Sequence, residues 1–171
     1  MRKISLLLLA AILFLGCQPK GAARYTQSSP EIDTVKKLIA NYNSMTYDTS
    51  MYADTSKTFY NTKDKSMSPA ETIAFHQETD KNYKSRSFPE KGQEYEMVLT
   101  DDGKTWVNCW LDWQGTLAAN NQEYNIPVHL TYQFIDGKIV REHGYWDPTP
   151  LVMALQEAEA TMKMAEEPES D

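Results

Sequence analysis

The stretch FIDGKIVREHGYWDPTPL, residues 134–151, decides the fold. Asp136-Gly137 is a strong signal for a two-residue β-hairpin turn, because both residues tolerate positive φ. The sequence on either side favours two long strands, 123–135 and 138–146. Two prolines follow the second strand and end it, since proline has no amide proton to donate. We therefore expect this stretch to close an antiparallel sheet.

Helices are predicted ahead of the sheet, over 30–45 and 68–83. Each begins with Ser-Pro and an acidic residue, a combination typical of a capped helix start. Two further strands, 95–100 and 105–116, complete an antiparallel meander. Helices followed by a meander indicate an α+β fold: a cone-shaped curved antiparallel sheet with N-terminal helices packed on its concave face. Such a cone leaves a cavity suited to a small molecule.

The stretch Phe134 to Ile139, followed by the aromatic–aspartate pair Trp146-Asp147, resembles the nuclear transport factor 2-like (NTF2-like) superfamily, especially its SnoaL-like branch. The resemblance covers about residues 31–155. It implies a homodimer formed through the open face of the sheet. The superfamily includes ketosteroid isomerases, polyketide cyclases, epoxide hydrolases and dehydratases, and also domains without catalysis, so the fold alone does not define the function.

One departure from the SnoaL-like pattern bears on function. Members of that branch tend to carry an acidic residue on the last strand, two or three positions before the closing aspartate. The nearest position here is Gly144, preceded by His143. The missing acid favours a binding domain over an enzyme.

Strand 105–116 offers a candidate cavity wall. One of its faces is apolar and predicts core or a dimer interface. The other face mixes tryptophans with polar side chains, as a wall that orients a ligand requires; its members are Trp106, Asn108, Trp110, Asp112 and Gln114. Against Trp110, the carboxyl of Asp112 would be desolvated, and its raised pKa would suit a general acid or base. The alternative is a solvated or ion-paired carboxylate.

The last strand contributes His143 and Tyr145, which face the cavity or the dimer interface if the strand has no bulge. Imidazole titrates near neutrality, so His143 is a candidate general base, and a structural histidine is the alternative. Asp112 and His143 are thus the candidate catalytic residues. The candidate ligand contacts are Tyr42, Tyr60, Phe75, Asn108, Trp110, Tyr132 and Tyr145.

Several classes of function are disfavoured. The net charge is −7, and it becomes more negative once Arg2 and Lys3 are removed, which opposes binding to nucleic acid. No metal-binding or glycine-rich motif occurs, so we expect no metal and no cofactor. Cys109 has no cysteine to pair with if Cys17 is acylated, and we expect it to be buried in the core.

The N-terminus, MRKISLLLLAAILFLGC, resembles a bacterial lipoprotein signal. Residues 1–16 read as the signal peptide and Cys17 as the lipidated residue. Gln18 then favours the outer membrane, with the domain facing the periplasm. The expected organisation is a lipidated cysteine and tether over 17–29, an NTF2-like domain over 30–157, and an acidic tail over 158–171 that is partly helical or disordered.

Two functions remain open from the sequence. The first is a membrane-anchored periplasmic domain that binds a small molecule in an aromatic-lined pocket, without catalysis. The second is a cofactor-free acid–base enzyme of isomerase, cyclase or hydrolase type, acting on a small apolar substrate through Asp112 and His143, with Tyr60 or Tyr145 as hydrogen-bond partners. A third possibility is a purely structural component of the cell envelope, which predicts a pocket too small to hold a ligand.

Overall fold

The computed structural model describes residues 24–166. Residues 1–16 and Cys17, which carry the predicted lipoprotein signal, lie outside the described residues. Within the described range the elements are β1 (Tyr25–Thr26), α1 (Pro30–Asn43), β2 (Tyr52–Tyr60), α2 (Pro69–Asp80), β3 (Tyr83–Ser87), β4 (Glu94–Leu99), β5 (Thr105–Leu117), β6 (Glu123–Ile135), β7 (Lys138–Trp146) and α3 (Thr149–Glu166).

The strands form one curved sheet in the order β1-β4-β5-β6-β7-β2, with β3 beside β5. Strands β4 to β7 pair antiparallel, as the meander predicted. Strand β2 pairs in parallel with β7, a contact that the sequence did not predict. Strand β1 lies within the predicted tether 17–29, so ordered structure begins earlier than residue 30. The predicted α+β cone is confirmed, with a mixed rather than purely antiparallel sheet.

Both predicted helix starts are confirmed. Ser29 accepts a hydrogen bond from the amide of Ile32 at the start of α1. Ser68 and Glu71 form a reciprocal capping box at the start of α2. The second helix ends at Asp80 rather than at residue 83, because the chain turns there into β3. These caps fix where the two helices enter the concave side of the sheet.

The apolar face of β5 points into the cone. Val107 and Cys109 are fully buried there, as predicted for Cys109. They belong to the same core cluster as Ile32, Val35 and Ile39 of α1. The polar face of β5 lies on the outside of the cone, so the expectation that it walls the cavity is wrong.

A bulge in β7 decides which side chains enter the cone. The turn forms at Asp136-Gly137, as predicted, with positive φ at both residues. Phe134 then pairs with Ile139, but its neighbour Gln133 pairs with Arg141. Val140 is the extra residue between Ile139 and Arg141. Relative to a regular strand, it exchanges the inward-facing and outward-facing residues over the rest of β7. Glu142 therefore points inward, whereas His143 and Tyr145, predicted to face either the cavity or the dimer interface, point outward.

Helix α3 starts at the rim of the cone. Its residues Leu151 and Ala154 are buried against the core, whereas Met153 is 63% exposed. The helix runs to Glu166, past the predicted start of the tail at residue 158. None of the described helices is long and apolar enough to cross a membrane.

Candidate functional site

A cavity of about 320 Å³ lies between the concave face of the sheet and helices α1 and α2, with the start of α3 at its rim. Its walls are mainly apolar and aromatic. Four of the predicted ligand contacts line it: Tyr42, Tyr60, Phe75 and Tyr132. The cavity has the size and lining typical of a small-molecule site.

Glu142 lies in the wall of this cavity and is 2% exposed. Three hydroxyl groups donate hydrogen bonds to its carboxyl. Tyr52 and Thr58 reach Oε2 at 2.9 and 3.3 Å, and Tyr60 reaches Oε1 at 3.0 Å. Tyr132 lies directly opposite Glu142 on the neighbouring strand. The hydroxyl of Tyr132 is a fourth hydroxyl beside the carboxyl, and it also favours the ionised form.

Burial raises the pKa of Glu142, and the hydrogen bonds from Tyr52, Tyr60 and Thr58 oppose that rise. No lysine or arginine forms an ion pair with Glu142 among residues 24–166. An acid with a raised pKa in an enclosed apolar cavity holds or releases its proton nearer to neutral pH. Burial also raises the pKa of Tyr60, and the neighbouring charge on Glu142 adds to that rise, so Tyr60 keeps its proton.

His76, on α2, extends this polar group across the cavity. Its Nε2 lies 3.1 Å from the hydroxyl of Tyr60. The imidazole stacks parallel to the ring of Tyr47 and meets the ring of Tyr42 edge-on. Burial, together with the nearby charge of Arg86, lowers the pKa of His76 to about 4. His76 is therefore neutral at pH 7.

A buried ion pair lies next to these rings. The side chain of Arg86 is fully buried and donates to both carboxylate oxygens of Asp80, at 2.7 and 2.9 Å. Its guanidinium lies 3.7 Å from the centre of the Tyr42 ring. Burial pushes the pKa of Asp80 upward, but the hydrogen bonds from Arg86 and Tyr47 outweigh it and hold the pKa below its usual range. The pair is neutral as a whole, and it joins α1, α2 and β3.

The remaining predicted site residues lie outside the cavity. Asp112 and His143, the predicted catalytic residues, are on the outer face of the sheet, as are three predicted ligand contacts: Asn108, Trp110 and Tyr145. The structure therefore does not bring Asp112 or His143 together with Tyr42, Tyr60, Phe75 and Tyr132.

The sequence reasoning missed Glu142. The SnoaL-like pattern places the acid two or three positions before the closing aspartate, and Glu142 lies five positions before Asp147. The bulge in β7 turns this more distant acid into the cone. A signal was present: Glu142 is an acid next to His143 in the closing stretch, and either could face inward depending on the bulge.

The outer face of the sheet carries an aromatic row. Glu94, Trp110, His129 and Tyr145 lie opposite one another on four neighbouring strands. Trp110 and Tyr145 are 43% and 46% exposed. Beside this row, His143 stacks on Phe59 with ring centres 4.9 Å apart.

Among residues 24–166, no group of three histidine, cysteine or acidic side chains is arranged to hold a metal ion. The polar groups of the cavity are instead a carboxyl, several hydroxyls and a neutral imidazole. These groups can donate, accept or transfer protons.

Comparison with solved structures gives the class of fold. A protein of Xanthomonas campestris described as a polyketide cyclase superposes with a TM-score of 0.61, at 16% identity, over 75% of this chain and 98% of that one. A SnoaL-like polyketide cyclase described from Jannaschia gives a TM-score of 0.58 at 13% identity, over 78% of this chain and 96% of that one. An NTF2-like protein of unknown function from Burkholderia pseudomallei gives 0.59 at 11% identity, over 74% and 97%.

The chain thus has the NTF2-like cone fold. At this level of identity the likeness concerns the fold and not the activity. No protein-family model matches the chain, and no curated protein matches its sequence.

Proposed function

We propose that this protein is a cofactor-free acid–base enzyme that binds a small, mainly apolar molecule in the cone and exchanges a proton with it through Glu142. The observation that carries the proposal is the carboxyl of Glu142, 2% exposed in the wall of a 320 Å³ cavity. Burying a carboxyl without a cation costs free energy, and such a cost is typical of a functional site. The absence of an acid at position 144 favoured a domain without catalysis, and Glu142 on the same strand now supplies an inward-facing acid.

The chemistry follows from the hydrogen bonds. The ionised carboxyl of Glu142 can take a proton from a C–H or O–H group of the bound molecule. The carboxyl then returns the proton to another atom of the same molecule, so that the overall step is an isomerisation or a cyclisation. The hydroxyls of Tyr52, Thr58 and Tyr60 hold the carboxyl in place throughout.

Charge limits the substrate class. Arg86, the buried cation next to the cavity, is already paired with Asp80. A phosphorylated or carboxylated ligand would therefore bury its charge without a counter-ion. A neutral molecule with one weakly acidic proton fits this cavity better.

Binding without catalysis is the second candidate function. It is favoured by the three hydroxyls that already hydrogen-bond to Glu142, because a carboxyl held in this way can serve only to orient a ligand. The two functions differ in whether the bound molecule changes.

Exposure to a periplasmic extract separates the two functions. Mass spectrometry of the extract measures conversion of a metabolite, and native mass spectrometry of the protein detects a retained ligand. We expect the wild type to convert one metabolite, and Glu142→Gln to slow that conversion by roughly 10²- to 10⁴-fold. Asp112→Asn is the matched control, because it neutralises a carboxyl on the outer face. Retention of the same unchanged ligand by all three proteins would support binding alone. Loss of conversion in Asp112→Asn but not in Glu142→Gln would refute the role of Glu142.

We further propose that the protein is anchored to the outer membrane by lipids on Cys17 and faces the periplasm. The support is the lipoprotein-like pattern of residues 1–17 with Gln18 after the cysteine. Cys17 lies eight residues before Tyr25, where β1 begins, so the chain between them spans at most about 29 Å. The cavity would then stay close to the membrane surface. Incorporation of labelled palmitate into the wild type but not into Cys17→Ala tests the anchor.

A homodimer through the outer face of the sheet is also part of the proposal. The exposed aromatic row of Glu94, Trp110, His129 and Tyr145 supports it, since burial of Trp110 and Tyr145 would remove apolar surface from water.

A further inference from the structure

Three polar groups form a chain across the cavity. Nε2 of His76 lies 3.1 Å from the hydroxyl oxygen of Tyr60, which lies 3.0 Å from Oε1 of Glu142. A tyrosine hydroxyl has one proton to donate. When Glu142 is ionised it can only accept, so the proton of Tyr60 is directed to Glu142. The contact between Tyr60 and His76 is then a hydrogen bond only if Nε2 of His76 carries a proton.

The surroundings of His76 keep this geometry. Its ring packs against those of Tyr42, Tyr47 and Phe75, at centre distances of 5.3, 5.9 and 5.5 Å. The charged groups that influence it are Arg86 and Asp80, which are paired with each other. Its depressed pKa leaves the imidazole neutral, with a single proton to place on one nitrogen.

We propose that His76 is a positioning residue that acts through Tyr60. By donating its Nε2 proton to the Tyr60 hydroxyl, it directs the Tyr60 proton to Glu142 and so favours the ionised, basic form of Glu142. This inference rests on the proposed function, in which Glu142 is the group that accepts the substrate proton. It assigns to α2 a part in the chemistry of a carboxyl on the opposite wall.

The chain reverses when Glu142 takes up a proton. The new O–H of Glu142 can donate to Tyr60, and Tyr60 can then donate to Nε2 of His76. That nitrogen must first lose its own proton, which passes through water to Nδ1, so the protein gains one proton in total. The tautomer of His76 therefore reports the charge of Glu142.

Nuclear magnetic resonance of the mature protein in detergent micelles tests the tautomer. The chain has three histidines, so ¹⁵N-histidine labelling gives a simple spectrum, and His76→Gln identifies the signals of His76. We expect the Nε2–H form above the pKa of Glu142 and the Nδ1–H form below it. Nδ1–H at high pH, or one tautomer throughout, would overturn the proposal.

A second measurement tests the effect on Glu142, whose side chain is followed by ¹³C labelling of glutamate and assigned with Glu142→Gln. We expect His76→Phe to make Glu142 bind its proton roughly tenfold more tightly, equivalent to a rise of about 1 in pKa. His76→Gln keeps an N–H donor at this position and should leave that pKa nearly unchanged. A fall in the pKa of Glu142 in His76→Phe would mean that His76 accepts from Tyr60, contrary to the proposal.

The double variant distinguishes positioning from a general loss of packing. On a Tyr60→Phe background, His76→Phe should not change the pKa of Glu142 further, because the connecting hydroxyl is already absent. An equal rise on both backgrounds would refute action through Tyr60. None of these measurements needs a substrate. A response of Glu142 to His76, combined with undiminished conversion by Glu142→Gln, would therefore sustain this inference and refute only the proposed function.

Discussion

Gly144 leaves open the space that the ring of Tyr60 occupies. A Cβ atom at position 144 would lie 2.8 Å from Cδ1 of Tyr60 and 2.9 Å from the ring of Trp146. Tyr60 and Gly144 are also register partners on the parallel strands β2 and β7. The absence of a side chain at Gly144 therefore leaves room for the ring of Tyr60, whose hydroxyl donates to Glu142.

Gly144→Ala should destabilise the fold and disturb the site. We expect the free energy of unfolding to fall by about 1–3 kcal/mol, because the new methyl group overpacks a filled space. Urea denaturation measures this change. Thr55→Ala, at an exposed position on β2, is the control, and its free energy of unfolding should fall by less. A variant as stable as the wild type would show that the ring of Tyr60 is free to move aside.

Acid should destabilise the protein through His76. The folded-state pKa of about 4 lies below the unfolded value of 6.5, so the unfolded chain takes up the proton first. The stabilisation is complete above pH 6.5 and is lost as the pH falls towards 4, by on the order of 3 kcal/mol. Glu142 acts in the opposite direction. Because its pKa is raised in the folded state, it contributes more to the stability of the fold as the pH falls.

Urea denaturation at pH 7.5 and 4.5 isolates the histidine contribution. The wild type should lose more stability over this interval than His76→Gln, which has no imidazole to protonate. Parallel pH profiles for the two proteins would contradict the burial of a neutral His76.

Asp80→Asn should be strongly destabilising. It leaves the fully buried guanidinium of Arg86 without a counter-charge. Removing one partner of a buried ion pair costs about 3–5 kcal/mol, and we expect the low end because the side chain of Asp80 keeps 15% exposure. Thermal and urea unfolding measure the loss. Asp54→Asn, an exposed aspartate on β2, should change stability by less than about 0.5 kcal/mol.

The outer aromatic row should control association. Tyr145→Lys places a charge in the proposed interface, so native mass spectrometry should show one chain where the wild type shows two. The cavity lies on the other side of the sheet, and its ligand should be retained. Met153→Lys, at a site on α3 with 63% exposure, is the control and should stay dimeric. A monomeric wild type would remove the homodimer from the proposal.

The sequence predicted the features that depend on local chemistry. The Ser-Pro helix starts at Ser29 and Ser68 and the turn at Asp136-Gly137 are set by a few adjacent residues, and all three were confirmed. The alternation along β5 was also correct. The face of β5 that points into the cone was predicted wrongly, because tryptophans occur on both faces and a period of two does not say which face is inside.

The site could not be predicted in the same way. The bulge after Ile139 has no local signature in the sequence, since it depends on how β7 pairs with β6. The parallel pairing of β2 with β7 is equally non-local, and it brings Tyr52, Thr58 and Tyr60 to Glu142. Tyr60 and Tyr132 were found as aromatic candidates, but the carboxyl that they surround was not.

The bulge has an evolutionary consequence. Deleting the single residue Val140 would restore regular pairing and still leave Glu142 opposite Tyr132, inside the cone. The bulge therefore absorbs the extra residue without moving His143 inward. One codon gained or lost at this point would thus leave the carboxyl in the chamber, and the scaffold around it would be inherited unchanged.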